Sequence, residues 1–169
     1  LWSFKTQDHS SAQTGSSVFD FEGDGKAEVV YNDEVYMRVF NGTTGSVLYS
    51  TANSSATTLE YPVIVDVNND GRAEIVFSSN NGSMRRLRVF RDTLDNWVDT
   101  RNVWNQHAYN VTNICTGPTD PFCPPGHRFG QPPKKPLENW KLPNLNNFRQ
   151  NVQGSGLFQA ADLILKDLR

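Results

Sequence analysis

The sequence predicts an all-β protein made of β-propeller blades, each blade being a four-stranded antiparallel sheet. A nine-residue acidic loop occurs twice, starting at Asp20 and again 46 residues later at Asp66. Short runs of β-type residues flank each loop, and polar turn residues separate these runs. No helical period accompanies either loop. A repeat of this length with short strands is typical of propeller blades.

Each copy of the repeat is predicted to contribute four strands. The first strand enters the acidic loop and the second leaves it, and both are apolar on two faces, as in strands stacked between neighbouring blades. The third and fourth strands alternate more, as expected nearer the rim. The predicted strands are 16–20, 27–32, 35–41 and 46–51 in the first copy, and 62–66, 73–78, 85–91 and 96–101 in the second.

A degenerate third blade without the acidic loop is predicted to follow, interrupted by a Pro- and Gly-rich excursion at 115–136 that has little regular structure. The predicted domains are propeller blades over 1–153, with clear repeats at about 16–51 and 62–101 and a degenerate third at about 103–153, and then 154–169 as a linker with the start of a following domain or an edge strand.

The acidic loops have the composition of calcium sites. Oxygen-bearing side chains occupy positions 1, 3, 5 and 9 of each loop, and glycine occupies position 6. A Ca²⁺ ion takes six to eight oxygen ligands, which a short loop supplies by turning alternate side chains inward. Glycine at position 6 permits the positive φ of a sharp reversal. Position 7 is cationic, so only its backbone carbonyl can contribute.

A plain hairpin is the alternative interpretation of each loop, because Asp-Gly between apolar runs is a hairpin signal that needs no metal. A turn needs only that pair, however, and the acids at positions 1 and 9 are surplus to it. Carboxylates crowded into such short loops repel one another unless a cation neutralises them. Calcium binding is therefore favoured.

The twin Asp-x-(Glu/Asn)-x-Asp-Gly-x-x-Glu loops, followed by Val-Val-Tyr or Ile-Val-Phe, resemble FG-GAP/VCBS repeats. These repeats are the calcium-bearing blades of the integrin α-subunit propeller and of many secreted bacterial proteins. The resemblance covers about 1–114 well and 140–153 more loosely. It implies two Ca²⁺ sites, with ligands Asp20, Glu22, Asp24, Lys26 (carbonyl) and Glu28 in the first, and Asp66, Asn68, Asp70, Arg72 (carbonyl) and Glu74 in the second.

Two or three blades leave strand edges and end faces exposed, so we expect an incomplete propeller whose partners are the rest of a longer chain or other subunits. The favoured function is a calcium-stabilised extracellular segment for adhesion, assembly or ligand display, with a protein or carbohydrate as candidate ligand. One alternative is a carbohydrate-binding accessory part of a secreted enzyme, in which Trp97, Trp104 and Trp140 would line a groove. Another is a subunit of an extracellular filament.

Several classes are disfavoured. The formal charge of -2 argues against a nucleic-acid partner, and there is no run of 18 apolar residues to predict a membrane span. The three histidines, His9, His107 and His127, lie far apart and in no metal-ligand spacing. Hydrolase and phosphate-binding motifs are also absent from the sequence. We therefore predict that the chain is not an enzyme.

Cys115 and Cys123 close a small loop in the Pro- and Gly-rich stretch, a spacing that favours a disulfide in an oxidising compartment over a zinc pair or free thiols. This agrees with a secreted or cell-surface location. Four Asn-x-Ser/Thr sequons are candidate glycosylation sites, at Asn41, Asn53, Asn81 and Asn110.

Overall fold

The strands lie where the repeat predicts them. The computed structural model describes residues 1–11, 13–79, 86–111, 115 and 149–151. Within these residues the strands are β1 (Ser17–Phe19), β2 (Glu28–Asn32), β3 (Tyr36–Asn41), β4 (Val47–Ala52), β5 (Val63–Val65), β6 (Glu74–Ser79) and β7 (Arg86–Phe90). Both ends of each strand fall within one residue of the predicted bounds, because turn residues delimit the apolar runs on either side.

The strands form two antiparallel sheets, one from each copy of the repeat. The sheet orders are β1-β2-β3-β4 and β5-β6-β7. In the first sheet Phe19 lies opposite Glu28, and in the second Val65 lies opposite Glu74. This register sets the last residue of each entering strand beside the acid at position 9 of the following loop. The all-β prediction is confirmed for the described residues.

The predicted fourth strand of the second copy, 96–101, is wrong. Among the described residues this stretch makes no ladder with β7, and an isolated antiparallel bridge joins Asp99 to Arg72 instead. The reason is packing, since Trp97 and Val98 join the apolar core between the sheets. Their peptide groups then find partners in the acidic loops rather than at the sheet edge.

One apolar core is shared by both sheets. Its buried members come from β1 to β3, from β5 and β6, and from the loops: Phe19, Phe21, Val30, Met37, Val39, Ile64, Ala73, Ile75 and Phe77. Phe90, Trp97 and Val98 pack against this cluster while half-buried. The two sheets therefore pack against each other as neighbouring blades do, and burial of these side chains is the main force that joins them.

A polar contact also joins the sheets, next to this core. The Asn53 side-chain amide donates to Asn32 Oδ1 at 2.6 Å and to the Ser78 carbonyl at 2.9 Å. Asn53 Oδ1 in turn accepts a hydrogen bond from Arg88 Nη1 at 3.1 Å. Asn32 belongs to the first sheet, and Ser78 and Arg88 belong to the second. Asn53 therefore links the two sheets through both its amide nitrogen and its amide oxygen.

The outer strands of both sheets are exposed. All of β4 except Thr51 is exposed, and the side chains of Val47, Leu48 and Tyr49 are 41%, 54% and 45% accessible. On β7 the side chains of Leu87 and Val89 are 69% and 48% accessible. Apolar residues on edge strands are unusual in an isolated domain, because such edges invite pairing with other chains.

The predicted third blade at 103–153 lies mostly outside the described residues, and 154–169 lies wholly outside them. Where it is described, the chain returns to the second sheet. Tyr109 and Asn151 are fully buried, and the Tyr109 hydroxyl donates to Asn151 Oδ1 at 2.8 Å. The Asn151 amide donates to the Ile64 carbonyl of β5 at 3.1 Å. None of the described residues forms a helix of the length and apolarity needed to span a bilayer.

We expect Asn53→Ala to lower the free energy of unfolding by about 1–3 kcal/mol, because it removes the donor to Asn32 Oδ1, the acceptor of Arg88 and the shorter of two side-chain hydrogen bonds to the Ser78 carbonyl. Urea denaturation measures the change. Asn105→Ala, at an exposed position outside the core, is the matched control and should change the stability by less than about 0.5 kcal/mol. Equal effects of the two substitutions would contradict the linking role of Asn53.

Candidate metal centres

Loop 1, residues 20–28, joins β1 to β2 and buries an acid at each end. Asp20 directly follows β1 and is 2% accessible, and Glu28 opens β2 and is 4% accessible. Both strands are anchored in the apolar core, so their adjoining ends hold these two carboxylates next to each other at the base of the loop. An uncompensated buried carboxylate is costly.

Backbone amides of the loop turn inward onto the basal acids. Asp20 accepts hydrogen bonds from the amides of Asp24 at 3.0 Å and Gly25 at 2.7 Å. Glu28 Oε2 accepts the Phe21 amide at 3.1 Å. Gly25, at position 6, has φ +84°, which confirms the predicted positive φ of the reversal. The loop therefore wraps around its own carboxylates.

Three acidic side chains of loop 1 converge. Asp20, Glu22 and Glu28 each offer a carboxylate oxygen, and these oxygens lie within 4.8 Å of one another. Burial, together with the neighbouring carboxylates of Glu22 and Asp20, raises the pKa of Glu28 to about 8. In the absence of a cation, Glu28 therefore holds a proton that a divalent ion would replace.

Asp24 and Lys26, the other two predicted ligands of loop 1, lie outside this cluster. Asp24 Oδ1 accepts the Lys26 amide at 2.8 Å, and Asp24 Oδ2 lies 3.3 Å from Lys26 Nζ. The backbone hydrogen bond from Lys26, with the Lys26 side chain, holds the pKa of Asp24 below its ordinary value. Both side chains are exposed, so coordination by Asp24 and by the Lys26 carbonyl stays a prediction.

Loop 2, residues 66–74, joins β5 to β6 with nearly the same bonding. Asp66 is 8% accessible and accepts the amides of Asn69 at 2.7 Å and Gly71 at 3.0 Å. Glu74 is 2% accessible, and its Oε2 accepts the Val67 amide at 2.8 Å. In both loops the acid at position 9 thus binds the amide of position 2. Gly71 has φ +93°, as predicted for position 6.

The second carboxylate oxygen of Glu74 is left unsatisfied. Glu74 Oε1 is buried and finds no hydrogen-bond donor among the described residues. Burial raises the pKa of Glu74, and the carboxylates of Asp70 and Asp66 add to the rise. A buried acidic oxygen without a donor is rare in folded proteins, and a bound ion is one common explanation.

The outer residues of loop 2 bond to one another. Asn68 Nδ2 donates to Asp70 Oδ2 at 2.7 Å, and Asp70 Oδ1 accepts the Arg72 amide at 2.8 Å. The hydrogen bond from Arg72, with the Asn68 amide, keeps the pKa of Asp70 low. In the described part of the chain, three acidic side chains meet at ligand spacing in loop 1 but not in loop 2. Coordination through Asn68, Asp70 and the Arg72 carbonyl stays a prediction.

The donor set fits a hard cation. Every side-chain ligand predicted in the two loops is a carboxylate or an amide oxygen, and Ca²⁺ prefers such ligands. The basal pairs are already in place: Asp20 with Glu28, and Asp66 with Glu74. Each pair brings buried carboxyl groups whose ionised forms a divalent ion would stabilise. Both loops could therefore hold a calcium ion with little rearrangement of their buried residues.

A further element of the site was not predicted from the sequence. Residues 97–102, called the bridging segment below, contact both loops. The Val98 amide donates to the Phe21 carbonyl in loop 1 at 2.9 Å, and the Val98 carbonyl accepts the Ala73 amide in loop 2 at 3.2 Å. The only sequence signal was the apolar pair Trp97-Val98, which also favours a strand.

Trp97 and Trp104, two of the three candidates for sugar binding, pack against other aromatic side chains. Trp97 lies against Phe21, with ring centroids 4.5 Å apart. Trp104 stacks on Tyr109 at 4.5 Å and donates from Nε1 to the Tyr61 hydroxyl at 3.0 Å. His107 meets the edge of Tyr61 at 4.6 Å, which agrees with a packing role. Trp140 and His127 lie outside the described residues.

Cys115 is buried at 2% accessibility, and Cys123 lies outside the described residues, so their disulfide stays a prediction. The four sequons also stay predictions. Asn81 is not described, and the Asn53 amide nitrogen, the atom that a glycan would modify, is engaged between the sheets. A glycan on Asn53 would replace one of the two amide hydrogens that form these bonds, and glycosylation there stays a prediction like the others.

The fold and the loops define a class of protein, namely tandem antiparallel β-sheets in which an acidic loop joins the first two strands. Comparison with known proteins agrees with this class. Residues 20–77 match the FG-GAP-like repeat family, which confirms the resemblance for that part of the chain. No curated protein matches the chain.

One solved structure is similar to this fold, the crystal structure of the biofilm matrix protein Bap1 of V. cholerae. The two share 28% sequence identity with a TM-score of 0.65. The match covers 82% of this chain and 22% of that chain, so the sequence spans less than a quarter of its structural neighbour.

We expect Glu74→Gln to weaken calcium binding at loop 2 by about tenfold or more, because it removes one of the charges that set the affinity of the site. In EDTA the same substitution should cost less than about 1 kcal/mol, since the buried Oε1 has no bond to lose. Calorimetric titration and urea denaturation measure the two effects. Glu34→Gln, outside both loops, is the control, and unchanged calcium affinity in Glu74→Gln would refute the assignment.

The calcium-free protein should lose stability as the pH rises from about 5 to about 8. The pKa of Glu28 is about 8 in the folded state against 4.5 ordinarily, so the folded state binds more protons than the unfolded state in this range. Calcium displaces that proton, so its stabilising effect should grow over the same window. Urea denaturation in EDTA and in calcium at several pH values tests this. In Glu28→Gln the decline in stability with rising pH should be smaller. A free energy of unfolding that rises with pH in EDTA would contradict the role given to Glu28.

Proposed function

We propose that this chain contributes two calcium-stabilised β-propeller blades to an extracellular protein of the adhesion or matrix type. The observation that carries the proposal is the buried acid pair at the base of each loop, with Glu74 Oε1 left unsatisfied. A fold that buries a pair of acidic side chains at two equivalent places is suited to a divalent ion.

Calcium would act structurally in this proposal. Bound in a loop, the ion supplies positive charge that fixes the carboxylates at the junction of two strands. In loop 1 the ligands would be Asp20, Glu22, Asp24, Glu28 and the Lys26 carbonyl, and in loop 2 they would be Asp66, Asn68, Asp70, Glu74 and the Arg72 carbonyl. Both loops lie against the shared core, so holding them also holds the packing of the two sheets.

The typical strength of extracellular calcium sites and the structural likeness support an extracellular location. Extracellular calcium modules bind with Kd of about 10⁻⁴ to 10⁻³ M, which calcium outside cells is sufficient to fill. The similar solved structure is that of a biofilm matrix protein. We place the chain in the same kind of setting, as a non-catalytic structural part whose buried carboxylates are committed to the loops.

The partners in this proposal are further blades, supplied by a longer chain or by other subunits. Exposed apolar side chains on β4 and β7 support this, because completed neighbours would cover them. The same edges also suit a filament subunit, which is the second candidate. Binding of carbohydrate is less well supported, since Trp97 and Trp104 pack against aromatic neighbours inside the chain.

Calcium removal tests the proposal directly. For each site that binds only the folded state, calcium at 100 times Kd adds about 2.7 kcal/mol of stability. A chain of this size gains roughly 2–4 °C in Tm per kcal/mol, so filling both loops should raise Tm by roughly 10 °C or more over EGTA. Scanning calorimetry measures this, and limited proteolysis should show cleavage near 20–28 and 66–74 only in EGTA.

Magnesium at the same concentration is the ion control, because Mg²⁺ retains its water and demands a stricter geometry. The double variant Asp20→Asn/Asp66→Asn is the protein control, and its Tm should respond little to calcium. If calcium leaves the Tm of the unmodified chain unchanged, the structural role of calcium is refuted.

A further inference from the structure

We propose that loops 1 and 2 bind their ions cooperatively, and that the bridging segment 97–102 transmits the coupling. The inference rests on the proposed calcium function and goes beyond it, because two independent sites would serve a structural role equally well. It is carried by contacts that lie outside the acidic residues themselves.

A single residue of the segment bonds to both loops. The Val98 amide donates to Phe21 of loop 1, and the Val98 carbonyl accepts from Ala73 of loop 2. The Phe21 amide in turn donates to Glu28 Oε2 at 3.1 Å, and Ala73 precedes Glu74 in the chain. Three consecutive hydrogen bonds thus connect the two loops. They begin at Glu28, the basal glutamate of loop 1, and end at Ala73, which directly precedes Glu74, the basal glutamate of loop 2.

Side chains reinforce the contact with loop 1. The Trp97 ring packs on Phe21, at position 2 of the loop. Val98 lies directly over Gly23, since a Cβ atom built on that glycine would stand 2.9 Å from Val98 Cγ1. Gly23 has φ +69°, so the loop passes beneath Val98 in a conformation that side chains disfavour. Loop 1 therefore has little freedom to move while the segment is in place.

Loop 2 is held over a longer stretch of the segment. The Thr100 amide donates to the Gly71 carbonyl at 2.8 Å, and the Asp66 amide donates to the Arg101 carbonyl at 3.1 Å. Two side-chain contacts accompany these bonds: Asp99 Oδ1 lies 2.9 Å from Arg72 Nη1, and Asn102 Nδ2 donates to Asn69 Oδ1 at 2.8 Å.

These contacts predict positive coupling. An ion in loop 2 would order the backbone from Asp66 to Glu74, which fixes the segment and with it the Val98 amide that holds the Phe21 carbonyl. The second ion then enters a loop whose conformational entropy has already been reduced, and so it binds more tightly. Linkage makes the effect reciprocal, and coupling of this kind typically changes affinity by about 5–150-fold.

Calorimetric calcium titrations of the full chain test the coupling. The single-site variants Asp66→Asn and Asp20→Asn give the affinity of loop 1 alone and of loop 2 alone. We expect the unmodified chain to bind with a midpoint at least about twofold below the geometric mean of the two single-site midpoints, because the midpoint falls as the square root of the coupling factor, and with a Hill coefficient above unity. An unmodified isotherm equal to the sum of the two single-site isotherms would overturn the coupling while leaving the calcium function intact.

Substitutions that remove contacts of the bridging segment test its role. Val98→Pro removes the amide that reaches loop 1, and it should return the midpoint to the single-site values. The double variant Asp99→Ala/Asn102→Ala removes two exposed contacts to loop 2 and should lower the Hill coefficient. Asp95→Ala/Asn96→Ala removes the same residue types just before the segment and should leave cooperativity unchanged.

If Val98→Pro does not fold, the exposed double variant decides the question. A folded Asp99→Ala/Asn102→Ala chain with full cooperativity would overturn the role of the segment. Absence of calcium binding to the unmodified chain at about 10 mM would refute both the coupling and the function on which it rests.

Discussion

Burial of negative charge at the junction of two strands is the constraint on which this structure depends. In each repeat the first and last acids of the loop are nearly inaccessible, and backbone amides of the same loop bond to them. Those amides reduce the cost of burial but do not neutralise the charge. The conformation of each turn follows from how these carboxylates are accommodated, whereas residues 97–102 take their path from the packing of Trp97 and Val98 on the apolar core.

The sequence was sufficient to predict the strands, because each apolar run ends at turn residues and the two copies of the repeat support each other. It also identified the basal acids, since they are surplus to an ordinary hairpin. It failed at 96–101, where Trp97-Val98 has the composition of a strand but tertiary packing on Phe21 decides its partner. The sequence also could not show that Asp24 lies apart from the converging acids. The hydrogen bond that Asp24 accepts from the Lys26 amide depends on the conformation of the folded turn.

The bridging segment adds a second connection between the two sheets in the described structure. A repeat protein is held together by the interfaces between neighbouring repeats, and these interfaces are usually apolar. Here the interface also contains backbone bonds from one short segment to both loops. The likeness to Bap1 covers 82% of the chain, so it extends beyond the repeat match at 20–77 and includes part of the sequence outside it.

The Asn53 amide has a consequence for how the protein can be produced. Enzymes that attach glycans to sequons act on the side-chain nitrogen, and here that nitrogen donates to Asn32 and to Ser78. A chain that acquired a sugar at Asn53 during synthesis would lose at least one of these two hydrogen bonds. A host whose secretory route lacks such enzymes would avoid that product, whereas replacement of Asn53 itself would remove its hydrogen bonds to both sheets.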